Sequence, residues 1–385
     1  FPACALAWRI SQEPFMQSTE KWLSNLKLRL SYGVTGNSGG MGAYSSQTGA
    51  VTYSAVSIDG VLSSMSQLVS PYGNPSIGWE KTYQWNYGVD LGLFNNRINL
   101  SVDFYESKTK DLLFSSTLPI TSANTAWGSP MTTWQNIGET SNKGYEIQLS
   151  TVNIRNKNFE WSSSISYTHN DEKIVSLPDG DLIAKKLFEG HPIKTFYDYK
   201  YVGIWGTAEE EEAAKYGCQP GYVKIETVEQ FTTDENGNLV GDGGVHTYSN
   251  TRDLQILGSN VPDGILGVNN TFKYRNFDLS AFVMLRYGQM IDSKTIGWYS
   301  TKNNNQPKGT DYWTPENQTA YFPRPGIAST TGIESLRYID GSYAKIKNIT
   351  LGYTFPNKLC KRLGIEKCRI YGTAYNVFVL PFMSA

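Results

Sequence analysis

Charged residues are scarce in this chain of 385 residues. Asp, Glu, Lys and Arg together make up 18% of it, whereas about a quarter is usual in soluble proteins. The 34 basic and 35 acidic residues give a formal net charge of -1, and no cluster of Lys or Arg stands out. Nucleic-acid binding requires such a basic surface, so we expect no nucleic-acid partner.

Motifs of catalysis are also missing. The sequence contains no phosphate-binding loop and no His-Glu-x-x-His. The acidic run of TAEEEEAAKYG, residues 207–217, is typical of a short exposed helix whose charges are solvated. The sequence therefore predicts a protein that is not an enzyme.

Cysteine is rare, and its spacing does not suggest a metal site. The four cysteines form no Cys-x-x-Cys, and the three histidines stand apart from them, so no zinc centre is expected. Cys360 and Cys368 flank the segment CKRLGIEKC. Two interpretations stay open: a disulfide formed in an oxidising compartment, or two small apolar residues near a turn.

Long apolar runs are absent as well. None approaches the roughly 18 residues of a membrane helix, but a spanning strand needs only about 9–11 residues, of which alternate ones are apolar. The first residues, FPACALAWRI, lack the features of a signal peptide, and the chain ends abruptly at VLPFMSA. We therefore interpret it as part of a longer protein.

Aromatic residues and glycine are abundant, and the apolar residues alternate. Aromatic residues make up 13% of the chain, including 25 Tyr and 10 Trp, and there are 36 Gly. In LKLRLSYGVTGN, Leu26, Leu28 and Leu30 share one face and Lys27 and Arg29 the other, as in a half-apolar strand. The same alternation recurs in WNYGVDLGLF, RINLSVDFYES, GYEIQLSTV, FEWSSSISYTHN, NFDLSAFVMLRYG and ITLGYTF. These runs of about ten residues are longer than most soluble strands.

The connections alternate between short and long. Short polar turns are predicted at 95–97, 153–158, 274–276 and 356–367, and long excursions at 35–81, 109–142, 171–263 and 289–341. Outer-membrane barrels follow this rule, with tight periplasmic turns and long external loops. The sequence thus predicts an all-β, antiparallel transmembrane β-barrel, of which this chain provides about nine or more strands.

The solvent on each face decides between two interpretations. In a membrane barrel the apolar face meets lipid and the polar face a hydrated lumen, and the backbone groups must all be paired. In a soluble barrel the apolar faces would point inward to a core instead, and in a soluble, secreted carbohydrate-binding module they would be long exposed stripes without a core partner. Strand length, loop asymmetry and aromatic positions favour the membrane, with Trp85, Trp161 and Tyr353 as lipid-facing or interfacial anchors.

Several segments resemble the C-terminal half of the SusC/RagA family of TonB-dependent outer-membrane transporters, typical of Bacteroidetes. They include WRISQEPFM with WLSNLKLRLSYGVTGN, NIGETSNKGYEI, DGSYAKIKNITLGYTFP and RIYGTAYNV. The most recognisable run extends from residue 74 to 113. It keeps Asn74, Pro75, Trp79, Glu80, Lys81, Gly88, Asp90, Arg97, Tyr105, Thr109, Lys110 and Asp111.

The resemblance implies a 22-stranded barrel in the outer membrane of a Gram-negative cell. It also implies active import of oligosaccharides, or of peptides in some members, with a SusD-like surface lipoprotein as partner. Energy would come from the inner-membrane TonB–ExbB–ExbD complex acting through an N-terminal plug and TonB box. Nothing here matches the plug or the box, so we expect residues 1–385 to be the C-terminal part of the barrel without its final strand or strands. A passive porin or a structural barrel protein is the alternative.

The long loops are where a transporter would meet its cargo. Flat aromatic faces stack on sugar rings, and polar side chains bind the hydroxyls. The candidate residues for cargo binding are Trp127, Trp134, Trp205, Trp298, Asp311, Tyr312, Trp313 and Asn317. The alternatives are that these aromatics pack the loops together or contact the lipoprotein.

One loop departs from the pattern of the family. The family commonly has an Asp-rich, Gly-containing loop before D-x-x-x-x-G-x-x-x-P, and here the region contains Asp234, Asn236, Asp242 and Asp253. Their spacing is not that of an EF-hand. These residues are candidate ligands for Ca²⁺, the one cofactor considered, and a polar, Gly-rich loop is the alternative.

Overall fold

A computed structural model describes residues 1–42, 44–68, 72–121, 130–178, 180–235, 237–249, 251–298, 308–326, 333–362 and 364–382. Strands predominate. In chain order they are β1 (Ala3–Arg9), β2 (Leu23–Asn37), β3 (Ala50–Ile58), β4 (Val61–Leu68), β5 (Glu80–Leu93), β6 (Ile98–Lys110), β7 (Leu113–Thr117), β8 (Thr132–Asn136), β9 (Glu139–Arg155), β10 (Phe159–Ser176), β11 (Thr195–Ile204), β12 (Val223–Glu226), β13 (Phe231–Thr233), β14 (Leu239–Gly241), β15 (Leu254–Ser259), β16 (Gly264–Tyr274), β17 (Phe277–Tyr287), β18 (Met290–Asp292), β19 (Tyr338–Asp340), β20 (Tyr343–Thr354) and β21 (Arg369–Pro381).

The helices of the described residues are short. The α-helices are α1 (Glu210–Lys215), α2 (Lys294–Trp298) and α3 (Asn357–Arg362). Single 3₁₀ turns lie at Ile10–Gln12, Pro14–Thr19, Ile183–Lys185, Thr207–Glu209 and Ile333–Arg337. Within the described part, no helix is both long and apolar enough to cross a membrane.

Ten strands form one sheet, in the order β1-β2-β5-β6-β9-β10-β16-β17-β20-β21. The strands of this sheet follow one another in chain order, and the pairs from β1 to β16 are antiparallel. The connections alternate between short and long as predicted, because β5–β6, β9–β10 and β16–β17 are joined by tight turns. The predicted all-β barrel wall is thereby confirmed.

The chain divides into two compact units. The first comprises Phe1–Ile193, Ile265–Met284 and Ile346–Val377, and the second comprises Lys194–Gly264, Leu285–Lys345 and Phe378–Ala385. The second unit contains the three-stranded sheet β12-β11-β15 and the pairs β13-β14 and β18-β19. Its residues come mainly from two of the long connections.

The apolar residues of the first unit fall in continuous rows across the sheet. One row runs through Trp8, Leu28, Val89, Val102, Ile147, Tyr167 and Leu266, each paired with the next. Leu28 is 39% exposed and Val89 38%, which rules out a dry protein core on this side. The face therefore suits hydrocarbon, as predicted for a membrane barrel.

The opposite face carries polar side chains that bind one another. Arg29 donates from Nε and Nη2 to the carboxylate of Asp90 at 2.9 Å and from Nη1 and Nη2 to that of Asp103 at 2.8 and 2.9 Å. The hydroxyl of Ser101 also donates to Asp90. Gly88 lies between Arg29 and Asp103 in the register, and a Cβ there would come within 2.5 Å of the guanidinium. Because Gly88 has no side chain, the side chain of Arg29 can extend across β5 to Asp103.

The cysteines carry free thiols, all four being among the described residues. Cys360 is buried in α3, where its Sγ donates to the carbonyl oxygen of Phe355 at 3.8 Å. The structure thus agrees with the second interpretation of the Cys360 and Cys368 pair and not with a disulfide. In the second unit, burial raises the pKa of the Cys218 thiol, so it stays neutral.

Adjacent positions of β9 provide a direct test of the two faces. Ile147 pairs with Val102 and Tyr167, and Gln148 with Ser101 and Ser166. In the full-length protein refolded into lipid vesicles, Ile147→Arg should lower the free energy of unfolding by about 2–4 kcal/mol, because the charge faces hydrocarbon near the middle of the strand. Gln148→Arg is the matched control, and urea titration is the measurement. Equal losses for both variants would contradict the assignment of the faces.

Candidate functional site

A cavity of about 790 Å³ in the second unit is a candidate site. It is bounded by β11, β15, β18 and β19 and by the turn Ile333–Arg337. Its lining comprises Tyr199, Lys200, Tyr201, Gln255, Ile256, Leu257, Met290, Tyr321, Ser335, Leu336, Tyr338, Ile339 and Asp340. Four tyrosines, several aliphatic groups and a few polar groups therefore meet in one space, which is the usual make-up of a ligand pocket.

Hydrogen bonds fix two of the tyrosines. Tyr338 donates its hydroxyl to Asp198 at 3.1 Å, and Tyr321 donates to the carbonyl oxygen of Leu336 at 3.0 Å. Burial, together with the nearby charge of Asp198, raises the pKa of Tyr338 to about 12. Burial also raises the pKa of Tyr201 and Tyr321. These phenols stay protonated at neutral pH and present apolar ring faces with a fixed polar edge.

A small apolar core supports this cavity. Val223, Ile225 and Leu336 are buried together, and the rings of Tyr199 and Tyr201 pack against them. Because β11 is extended, residues two apart project to the same side. Tyr199 and Tyr201 therefore line the same space, and β12 and β15 hold their strand from both edges.

The polar groups of the lining are also held in place. Lys200 pairs with the carboxylate of Glu226 at 2.7 Å, and Gln255 donates to the backbone carbonyl oxygen of Glu226 at 3.1 Å. Asp340 accepts the amide and the hydroxyl of Ser342. The arrangement can stack flat, weakly polar rings and bind hydroxyl or amide groups at their edges.

Two of the tryptophans expected at the cargo surface are buried. Trp205 is 2% exposed and packs with Ala213 and Cys218, and its indole Nε1 donates to the hydroxyl of Tyr248 at 3.1 Å. Trp313 is also 2% exposed. A ring enclosed by protein offers no free face for stacking, so both positions agree with the alternative that loop aromatics pack the loops together.

Lys224 covers the ring of Trp205. Its ammonium lies 4.1 Å from the ring centroid and bonds the carboxylate of Glu209 at 2.7 Å. The Lys224 ammonium and the amide of Gly206 hold the pKa of Glu209 below its usual range. This part of the acidic run therefore has a structural role in the loop.

Besides the buried Trp313, three of the predicted cargo residues lie in the same loop. Asp311 accepts the side-chain amide of Asn317 at 2.8 Å and the backbone amide of Tyr321 at 3.1 Å. Asn317 also donates to the carbonyl oxygen of Tyr312, whose side chain is 44% exposed. Tyr312 is exposed to solvent, whereas Asp311 and Asn317 bind each other.

The other three predicted tryptophans are separate from this loop. Trp134 lies in β8 of the first unit, half-buried, where its carbonyl oxygen accepts the side chain of Asn74. Trp127 lies outside the described residues, and Trp298 ends α2, with its side chain outside them as well. The role of these residues in cargo binding stays a prediction.

The candidate calcium ligands are engaged with protein groups. Asp242 accepts the backbone amides of Gln230 and Gly244, and Asp253 accepts those of Val228 and Ser249. The amide of Gln230, more than any other group, holds the pKa of Asp242 below its usual range.

His246 bridges the two carboxylates, with Nδ1 2.8 Å from Asp242 and Nε2 2.9 Å from Asp253. Asp234 accepts from Asn238, and Asn236 lies outside the described residues. Across the described part, no group of three or more His, Cys, Asp or Glu could hold a metal ion. These contacts do not support the calcium interpretation, which stays a prediction.

The family model of the TonB dependent receptor-like β-barrel matches residues 2–377. The chain belongs to this family. As a TonB-dependent receptor barrel it is an outer-membrane protein, and the predicted SusC/RagA resemblance is confirmed by its relatives. Those relatives are named as receptors, which agrees with the prediction that the chain is not an enzyme.

Two curated relatives of this receptor barrel illustrate the match. TonB-dependent receptor P3 of Formosa agariphila is 31% identical over 393 residues, covering 98% of this chain and 37% of P3. TonB-dependent receptor SusC of Bacteroides thetaiotaomicron is 30% identical over 405 residues, covering 99% of this chain and 36% of SusC. The chain thus spans less than two-fifths of the length of either relative.

A solved structure of the RagAB peptide importer in its open-open state has the same fold. It matches with a TM-score of 0.77 at 24% identity, covering 98% of this chain and 39% of that one. At this identity the likeness shows the fold alone.

The burial of Trp205 leads to a testable difference between packing and cargo contact. In the full-length receptor, Trp205→Ala should destabilise the loop by about 3–5 kcal/mol, because it empties a packed site. Limited proteolysis should then cut near residue 205 much faster than in the unchanged protein. Tyr312→Ala, at an exposed ring, is the control and should leave the cleavage rate unchanged. Equal protection of both variants would contradict the packing role.

Proposed function

We propose that this chain provides barrel wall and external loops of an active outer-membrane importer whose cargo is an oligosaccharide. The observation that carries the proposal is the tyrosine-lined cavity of about 790 Å³ in the second unit. Family membership supports the transport role, and the likeness to SusC supports a partner lipoprotein of the SusD type. The TonB–ExbB–ExbD complex would supply the energy through a region outside this chain.

The chemistry of the cavity favours sugar over an acidic cargo. Sugar rings have apolar C–H faces that stack on aromatic rings, and their hydroxyls need hydrogen-bonding partners. Tyr201 and Tyr338 offer ring faces, while Gln255 and Asp340 provide amide and carboxylate groups. The charge of Lys200 is already paired with Glu226, and Asp340 accepts hydrogen bonds from Ser342, so these side chains offer an acidic ligand a carboxylate and a neutralised cation.

Peptide is the competing cargo, because the RagAB neighbour is described as a peptide importer. A passive porin is the competing mechanism. Uptake assays on cells that make the full-length protein separate all three. We expect a fluorescent neutral oligosaccharide to enter, a labelled peptide of similar size to be excluded, and entry to stop when TonB is deleted. Uptake that persists without TonB would contradict active import, and uptake of the peptide alone would contradict the oligosaccharide assignment.

Substitution within the cavity tests its part in cargo binding. Tyr201→Ala removes an aromatic face, and an aromatic contact is worth about 0.5–1.5 kcal/mol beyond buried area, so binding of the oligosaccharide should weaken about two- to tenfold. Tyr44→Ala is the matched control, because Tyr44 is 77% exposed and does not line the cavity. Calorimetry on the purified full-length receptor is the measurement. If both variants bind like the unchanged protein, the cavity is not the cargo site.

A further inference from the structure

Charged side chains reach the lipid side of the sheet at one end of its strands only. On β5, β6, β9 and β10, whose residues are all described, the outward positions near the short turns hold no Lys, Arg, Asp or Glu. This uncharged part ends at one paired row, formed by Tyr87, Phe104, Tyr145 and His169. Beyond the row, towards the long connections, five lysines share the outward face: Lys81, Lys108, Lys110, Lys143 and Lys173.

The register brings these five residues, the outward lysines, together on neighbouring strands. Lys81 of β5 pairs with Lys110 of β6, and Lys108 of β6 and Lys173 of β10 both pair with Ser141 of β9. Lys143 lies one row closer to the aromatic residues. The outward lysines therefore form one continuous surface across four strands and are not scattered charges.

The length of β10 indicates the level of this surface in the membrane. Trp161 stacks on Phe272 at 5.8 Å near the short turn, and the ring of His169 lies 5.2 Å from that of Tyr145. A strand crosses the hydrocarbon in about 9–11 residues, and aromatic belts mark both interfaces. Residues 161–169 fill this length. Because long loops are external, the outward lysines lie at the level of the headgroups of the outer leaflet.

The ammonium groups of the outward lysines are accessible. Their side chains are 47–57% exposed. Lys143 approaches the carboxylate of Glu106 at 3.1 Å, and Lys108 approaches the same carboxylate at 4.0 Å. Ion pairs between exposed side chains contribute little to stability. An ammonium group here can therefore exchange its carboxylate for another anion at little cost.

Positive charge is in excess on this surface. Five ammonium groups meet four carboxylates, which belong to Glu106, Asp111, Glu139 and Asp171. Lysine binds phosphate as a flexible point charge, and its alkyl stem can lie along an apolar surface while the charged end reaches the polar layer. The aromatic row below contacts hydrocarbon. Cations directly above apolar rings match a phosphate headgroup above its acyl chains.

We propose that the outward lysines bind the phosphate groups of anionic lipids in the outer leaflet, so that the barrel wall holds a specific layer of lipid. On binding, a phosphate oxygen replaces one carboxylate contact at each lysine, and Glu106 keeps one of its two ammonium neighbours. Free phosphate lacks the acyl chains that the rows below would contact and is not favoured. The proposal concerns the lipid around the barrel and does not depend on the identity of the cargo.

Native mass spectrometry of the full-length receptor in a neutral detergent tests this proposal. The probes are diphosphoryl lipid A and the same lipid with both phosphates removed, each titrated against the receptor. We expect the phosphorylated lipid to bind and the dephosphorylated lipid to bind much more weakly, because the acyl chains are the same and only the phosphate contacts differ. Inorganic phosphate is added as a competitor and should not displace the bound lipid.

A pair of substitutions locates the bound lipid. Lys108→Gln combined with Lys143→Gln should weaken binding of diphosphoryl lipid A about thirtyfold, since each basic residue near an anionic surface contributes about a factor of five. Lys157→Gln combined with Lys273→Gln removes the same charge at the short-turn end. This matched control should bind the lipid like the unchanged receptor.

Three results would overturn the proposal: equal binding of the two lipids, displacement of the lipid by inorganic phosphate, or equal loss in the two double variants. The comparison of the two lipids uses the unchanged receptor, so it keeps the test valid if a variant does not fold. Cargo binding is not a readout here, and failure of the oligosaccharide proposal would leave this one intact.

Discussion

The pairing of backbone groups in hydrocarbon is the constraint from which the rest of this structure follows. A strand that crosses the membrane cannot leave its amides and carbonyls to water, so it must bond neighbours on both edges. Within the ten-stranded sheet the strands between β1 and β21 meet that demand, having a neighbour on each edge, and successive side chains then point to opposite solvents. Leu28 pairs with Val89 on the face toward hydrocarbon, while Arg29 pairs with Gly88 and Lys27 with Asp90 on the face toward water. The backbone hydrogen bonds of the sheet thereby determine which solvent each side chain of the wall faces.

Ion pairs on the water-facing side of the sheet need space, because neighbouring strands are close together and the charged side chains are long. Arg29 lies across β5 at Gly88 to reach Asp103 on β6. Arg369 of β21 bonds Asp278 of β17 across the intervening β20, where a Cβ at Gly352 would come within 2.5–2.7 Å of both side chains. Glycine normally weakens a strand. Here it allows a bidentate ion pair that ties three strands together, which explains part of the high glycine content.

The sequence predicted the wall well and the loops poorly, for a physical reason. A period of two is a local property, so the faces of β2, β5 and β9 could be read from the chain alone. β16 was not predicted from the sequence, because Asn270 interrupts its apolar face. In the structure the side-chain oxygen of Asn270 accepts hydrogen bonds from the indole Nε1 of Trp161 and the hydroxyl of Ser163. The neighbouring strand β10 therefore satisfies this polar group. The tyrosine cavity depends on residues more than a hundred positions apart. Only the repeat of Tyr197, Tyr199 and Tyr201 in β11 signalled it, whereas tryptophan content pointed to Trp205 and Trp313, which the structure buries.

The local distribution of charge is a second feature that could not be predicted from the sequence, because the net charge conceals it. A total of -1 suggests electrical balance, yet balance holds only where the fold brings opposite charges together. At Arg29 two carboxylates meet one guanidinium, and in the cleft formed by β16, β17, α3 and β21 five cations meet two carboxylates, Asp278 and Glu160. The register fixes the first arrangement, because all its residues lie in paired strands. The second is built from a turn, a short helix and a strand end, whose proximity no periodicity encodes. A surplus of cations that is invisible in the composition thus appears at one end of the sheet once the strands are in place.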